Sequence, residues 1–248
     1  MKSAEGLDRC QTFINCQLEP GKSGPSGRPR HIRPAVTISR QAGAGARVVA
    51  EKLAALLQLD VAEGDPPWTV FDRNLMEKIL EDHNLPARLA KFLPEDRATE
   101  LQDITDEIFG LRPASWTMIQ QTSESILKLA ELGHVILVGR GSTVITASLP
   151  HVVHARLVAP LEVRLQHCRE YYQLTARAAR EFCQREDQGR QRYLKKYFNA
   201  DVNDAVLYDL VVNTGVVGFE TAAELIAATL RAKMQVVGSR APERTNRS

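Results

Sequence analysis

Five short apolar runs punctuate the chain: residues 35–39 (AVTIS), 68–72 (WTVFD), 134–138 (HVILV), 152–158 (VVHARLV) and 208–212 (YDLVV). Each is the length of a strand and rich in β-branched residues, so each reads as a buried strand. Between them the spacing of apolar positions becomes helical. Val49, Leu53, Leu56 and Leu57 fall on one helical face. Residues 74–81 and, less regularly, 85–113 read as helix; 115–132 reads as a long helix stopped by Gly133, and 161–198 as basic helices. Thr221-Ala222-Ala223-Glu224 has the spacing of a capping box that opens the last helix. Strands separated by helices long enough for crossovers predict an α/β fold, a parallel sheet with helices on both faces. Ligands of such sheets sit beyond the carboxyl ends of the strands.

Composition sets the limits of that domain. With 248 residues, 44% of them hydrophobic, the chain can bury one substantial core. Residues 1–33, with GKSGPSGRPR inside them, and residues 235–248 are polar and read as flexible tails, leaving 34–234 as the folded domain. A net charge of +2 argues against a nucleic-acid partner. The arginines are nonetheless crowded between Arg156 and Arg192, which suits a local anionic ligand or a solvated helix face. Cys10, Cys16, Cys168 and Cys183 form no C-x-x-C pair and suggest a reducing, cytoplasmic setting. No apolar run approaches the roughly 18 residues of a membrane span, so no membrane partner is expected.

Three polar clusters stand at predicted strand ends: 39–47, 72–73 and 139–142. In the first, SRQAGAGAR, Gly43 and Gly45 let consecutive amides face an anion ahead of a helix N-terminus. Set against the phosphate-loop pattern G-x-x-x-x-G-K-[ST], Arg40 replaces the first glycine, Ala46 the lysine and Arg47 the hydroxyl residue. A tight packing turn explains the same residues equally well. Arg40 or Arg47 could supply positive charge, and Ser39 stands nearby. Asp72 could orient a nucleotide or cap a helix. Arg140, between two glycines, could fork onto a phosphate or pair with an acid such as Asp72. Arg185 and Arg190 bracket Asp187 in a segment that could close over a transferring phosphoryl group, or form a surface of paired charges.

Read in order, VTISRQAGAGARVVAEKLA, VFDRNLMEKI, VILVGRGSTVI, ARLVAPLEVRLQHCRE and the D-x-x-R of Asp187 and Arg190 followed by YDLVVNT resemble the cytidylate kinase-like family, a branch of the P-loop nucleoside monophosphate kinases. The resemblance implies a three-layer P-loop kinase fold with strand order 2-3-1-4-5 and an arginine-bearing lid over about 161–200. It implies ATP, with magnesium carried mainly by the nucleotide, bound at Gly43, Ala44, Gly45, Ala46 and Arg47, with Ser39 and Arg40 beside the loop as further candidates. Arg140 would match the arginine that holds a CMP-like acceptor, with Asp72 expected beside it, and Arg185, Asp187 and Arg190 would serve the transfer. Cytidylate kinases proper carry D-G-R-D where this chain has Val138-Gly139-Arg140-Gly141. The implied activity is ATP-dependent phosphoryl transfer to a small phosphate acceptor, with a catalytically weak nucleotide-binding protein as the alternative.

Overall fold

The computed structural model describes residues 32–72 and 114–240. The N-terminal tail through residue 31, the helices expected over 74–113 and the tail beyond residue 240 lie outside the described residues. Five strands, β1 (Ala35–Arg40), β2 (Thr69–Phe71), β3 (Val135–Val138), β4 (Val152–Val158) and β5 (Leu210–Asn213), form one parallel sheet in the order β2-β3-β1-β4-β5. Both the parallel sheet and the order 2-3-1-4-5 match expectation. In the centre, Val36 lies beside Ile136 of β3 and Val153 of β4.

Alternation along the strands builds a core on each face. Val36, Ile38, Ile136, Val138, Val153, Ala155 and Leu157 pack with α1 (Ala46–Gln58) and with Ala222, Ala223, Ile226 and Leu230 of the C-terminal helix. Ala35, Phe71, Val135, Leu137 and Val152 face the other way, onto Ile126, Leu129 and Ala130 of α2 (Ala114–Leu132). Helices thus cover both faces. The short α3 (Ser142–Ile145) follows β3 after a three-residue turn, 139–141. After β4 come α4 (Leu161–Tyr172) and α5 (Ala176–Phe198), the latter capped by Thr175, whose hydroxyl accepts from the Ala178 amide at 3.2 Å. These two helices share a small core of Leu165, Cys168, Ala179 and Cys183 that also buries Ala42. The helix pair is therefore packed onto the turn after β1.

The last helix, α6 (Thr214–Arg240), departs from expectation at both ends. It starts directly after β5, where the Asn213 side chain accepts from the Gly215 amide and the Thr214 hydroxyl donates to Ala44 and Val158 carbonyls. It breaks at Gly218 (φ 78°, ψ 174°) and resumes, so Thr221 lies inside the first turn after the kink rather than capping it. It also runs to Arg240, past residue 234.

One buried polar position makes stability sensitive to pH. The His154 ring on β4 is 2.8 Å from the Thr37 hydroxyl of β1, which is itself 3.2 Å from Thr143. Burial first, then the nearby Lys233, pushes the His154 imidazole down to about 4, against some support from Asp209. An unfolded histidine takes its proton near 6.5, whereas the folded one resists it. Stability is therefore complete above about pH 6.5 and falls as the pH drops toward 4. Between pH 7 and 4.5 this group should cost about 2–3 kcal/mol. Urea unfolding of His154→Gln should show a pH slope smaller by that amount; an unchanged slope would exclude His154 as the origin.

Candidate active site

β1 continues one residue past its end, the Gln41 amide donating to the Leu157 carbonyl at 3.0 Å, and the chain then turns. The Ala44 amide bonds back to Gln41, and Gly43 sits in the left-handed region at φ 79°. Gly45 occupies the N-cap position of α1 with no side-chain cap, and the first turn holds no acidic residue. Among the described residues no acceptor meets the amides of Gly43, Gly45, Ala46 or Arg47. These unpaired donors and the positive end of the helix dipole suit an anion.

The turn is gripped from the outside by α4 and α5. The Ala42 amide donates to Asp187 Oδ1 at 2.7 Å, and Arg164 Nη1 donates to Asp187 Oδ2 at 2.6 Å. The same Nη1 reaches the Ala42 carbonyl at 3.2 Å, while Nε holds the Ala159 carbonyl at 3.1 Å. His167 donates from Nδ1 to the Gly43 carbonyl at 2.9 Å, a contact that fixes its tautomer. A Cβ at position 43 would collide with the Arg164 backbone, so glycine is required there for space as well as for φ. Arg190 completes the network, donating to Asp187 Oδ1 at 3.1 Å and to Glu186 Oε2 at 3.2 Å.

Two clefts flank the turn. One, of about 600 Å³, is lined by the turn from Arg40 to Gly43 and from Gly45 to Val48, with Asp72, His167, Tyr171 and Phe219. The other, of about 350 Å³, is lined by Ser39, Arg140, Arg185, Arg192, Tyr193 and Tyr208 among others. Arg40, Glu186 and Arg190 line both. The structure thus places Gly43, Gly45, Ala46, Arg47 and Asp72 in the first cleft and Ser39, Arg140 and Arg185 in the second. Asp72 and Arg140, expected to serve one ligand, line different clefts. Gly139, Arg140 and Gly141 all take positive φ (84°, 57° and 74°), so the chain turns tightly after β3. Ala44 is buried behind the turn, with its carbonyl accepting from Thr214. Asp187 lines neither cleft; both its oxygens are committed to the turn and the arginines.

The arginines differ sharply in their partners. Arg47 is turned along α1, donating to Glu51 at 3.1 Å and to the Tyr171 hydroxyl at 3.3 Å. The Glu51 bond, more than anything else, raises its already high pKa. The Arg185 guanidinium lies 5.7 Å from the centre of the Phe182 ring. Arg40, by contrast, has no hydrogen bond or ion pair among the described residues. Burial first, then repulsion from Arg190 and Arg140, pushes it down to about 10 despite Asp72 and Glu186, so it remains a cation at neutral pH. Burial likewise raises the Tyr193 phenol in the second cleft.

Ser39 is also committed, its hydroxyl 3.0 Å from Arg156 Nη1 and 3.2 Å from the Tyr208 hydroxyl. Among the described residues no group of three His, Cys, Asp or Glu side chains is arranged to hold a metal. Sequence reasoning missed Arg164, His167, Glu186 and Tyr208. Arg164 and Asp187 stand 23 residues apart, a separation without any periodic signature.

Comparison with known proteins narrows the assignment. A crystal structure of an uncharacterized protein from Eubacterium ventriosum shares 18% identity and superposes with a TM-score of 0.58, covering 81% of this chain and 99% of that one. That likeness speaks to the fold. A second crystal structure, of TT1252 from Thermus thermophilus, aligns at 15% identity with a TM-score of 0.33 over 85% of this chain and 100% of that one. A uronate isomerase from Corynebacterium glutamicum is 28% identical over 120 residues, 48% of this chain; the chain spans only 23% of that protein's length. The profile of the cytidylate kinase-like family matches residues 35–216, from the first residue of β1 into α6, and so takes in the whole sheet, the turn and the arginine-bearing helices. By that match the chain belongs to the cytidylate kinase-like family.

Proposed function

We propose that the protein transfers the terminal phosphoryl group of ATP to a nucleoside monophosphate or a related small phosphate acceptor, on a P-loop kinase fold whose lid is α4 and α5. One observation carries this reading: two clefts, one floored by unpaired amides at a helix N-terminus and one walled by arginines, meet at Arg40, Glu186 and Arg190. Phosphoryl transfer needs two anionic ligands brought end to end, with cations where they meet. The donor's phosphates rest on the amides from Gly43 to Arg47, and the acceptor's phosphate lies by Arg140 and Arg185. An acceptor oxygen forms a new bond to the terminal phosphorus as the bond to the bridging oxygen breaks, releasing ADP. A phosphate dianion as acceptor has no proton to lose. Arg190, held by Asp187 and Glu186, stabilises charge on the transferring oxygens. Magnesium arrives as the nucleotide's counter-ion. Among the described residues no helix is long and apolar enough to cross a membrane, and the partners this reading calls for are small nucleotides in the cytoplasm.

The test is transfer from ATP and magnesium to a panel of nucleoside monophosphates, run beside Arg190→Ala. Turnover on one acceptor, reduced about 100-fold or more in the variant, is the expected result. No turnover above the variant's background on any acceptor would sink the reading. A second reading, a nucleotide-binding protein with little catalysis, is favoured by Ala46 in place of the loop lysine and by Arg47 being tied to Glu51. It predicts nucleotide binding without transfer.

A further inference from the structure

The missing lysine leaves open which cation neutralises the transferring phosphoryl group. Arg47, the charged residue nearest the lysine's place in sequence, is half-exposed and held by Glu51 and Tyr171. Arg40 stands on the other side of the turn, on the last residue of β1, and lines both clefts. We infer that Arg40 takes the role of the absent lysine, forming with Arg140 and Arg190 an oxyanion subsite for the transferring phosphoryl group at the junction of the two clefts. What the anion is rests on the kinase reading; that an anion binds there does not.

Three observations support this subsite. A half-buried guanidinium with five donors meets, among the described residues, no acceptor, an arrangement that costs stability unless a ligand completes it. Arg190 repels it more strongly than any other neighbour, with Asp72 and Glu186 pulling the other way, and a bound anion relieves that repulsion. The position is also built rather than incidental. Gly139 (φ 84°) leaves open the space the Arg40 guanidinium fills, and a Cβ there would collide with Nη1. A planar guanidinium fork matches two phosphoryl oxygens at once, whereas a lysine offers a point charge.

Function and stability pull apart at Arg40, which gives a test that does not depend on turnover. Thermal unfolding of the full chain would be followed with and without inorganic tripolyphosphate, for the wild type and for Arg40→Met, Arg40→Lys and Arg47→Met. Without ligand, Arg40→Met should melt about 2–4 °C higher than the wild type, because a desolvated, unpaired charge is gone. Tripolyphosphate should raise the melting temperature of the wild type, of Arg47→Met and, in part, of Arg40→Lys, but not of Arg40→Met. If the ligand-induced rise persists in Arg40→Met, disappears equally in Arg47→Met, or is absent from the wild type, the subsite is overturned. Should Arg40→Met be poorly folded, the comparison of Arg40→Lys with Arg47→Met decides: a rise no larger in Arg47→Met than in Arg40→Lys overturns the assignment. Where transfer is detected, Arg40→Met should lower kcat about 100-fold with the KM for ATP changed much less. A wild type that is stabilised by tripolyphosphate yet transfers nothing would remove the kinase reading and keep the subsite.

Discussion

Replacing Asp187 by alanine is expected to lower the unfolding free energy by about 3 kcal/mol and to slow phosphoryl transfer at least as much as loss of Arg190. The carboxylate holds together the Ala42 amide, the Arg164 guanidinium and Arg190, at 2.7, 2.6 and 3.1 Å. Arg164 is nearly buried, its side chain 11% exposed, so removing its partner leaves a charge that water reaches poorly. The Asp187 side chain is 30% exposed, which keeps the expected loss at the lower end for a buried pair. Asp187→Asn should lose less stability, because its amide oxygen can still accept from Ala42, but it should not restore full transfer. Urea unfolding together with exchange of the Ala42 amide would check this. A loss below about 1 kcal/mol with the amide still protected would mean that the turn holds its shape without the carboxylate.

Gly139→Ala is expected to reduce transfer by about 100-fold while leaving the sheet intact. The residue lies after β3 with φ 84°, where a side chain costs about 1–2 kcal/mol by backbone conformation alone. The added methyl would occupy the space of the Arg40 guanidinium, forcing that side chain to move. The effect should therefore resemble that of Arg40→Met on kcat but differ from it in stability. One variant melts lower and the other higher than the wild type. Steady-state kinetics and thermal unfolding of the two proteins side by side would separate them. Wild-type turnover in Gly139→Ala would show that Arg40 need not stand where it does.

The sheet was legible because buried strands leave an unmistakable trace, and runs such as HVILV admit water on neither face. Parallel pairing followed from the lengths between runs. The turn after β1 was legible as small residues between strand and helix. What the linear pattern concealed was partnership. Whether Arg40 or Arg47 carries the relevant charge depends on Glu51 and Tyr171 being within reach of one and not the other, a fact of three dimensions. Asp187 looked like a reacting group by its place in D-x-x-R, yet its oxygens face a backbone amide and an arginine from another helix. Asp72 and Arg140 follow neighbouring strands, yet they line different clefts. The Thr221 spacing suggested a cap, while Asn213 and Gly218 determine where the helix begins and bends.

The position of β1 bears on how the chain reaches this structure. Among the described residues it is the first strand in sequence and the middle strand of the sheet, and its partners are far along the chain: Ala35 pairs with Val135 and with Val152. During synthesis β1 emerges long before anything it can pair with, and its Val36 and Ile38 must wait exposed or be sheltered by α1 alone. Such separated contacts close large loops before they yield stabilisation, so folding of the sheet should be slow relative to helix formation. The turn that would bind phosphate cannot take shape earlier, since Leu157 and Asp187 hold it from behind. Binding competence should therefore appear last, in the same step that completes the sheet.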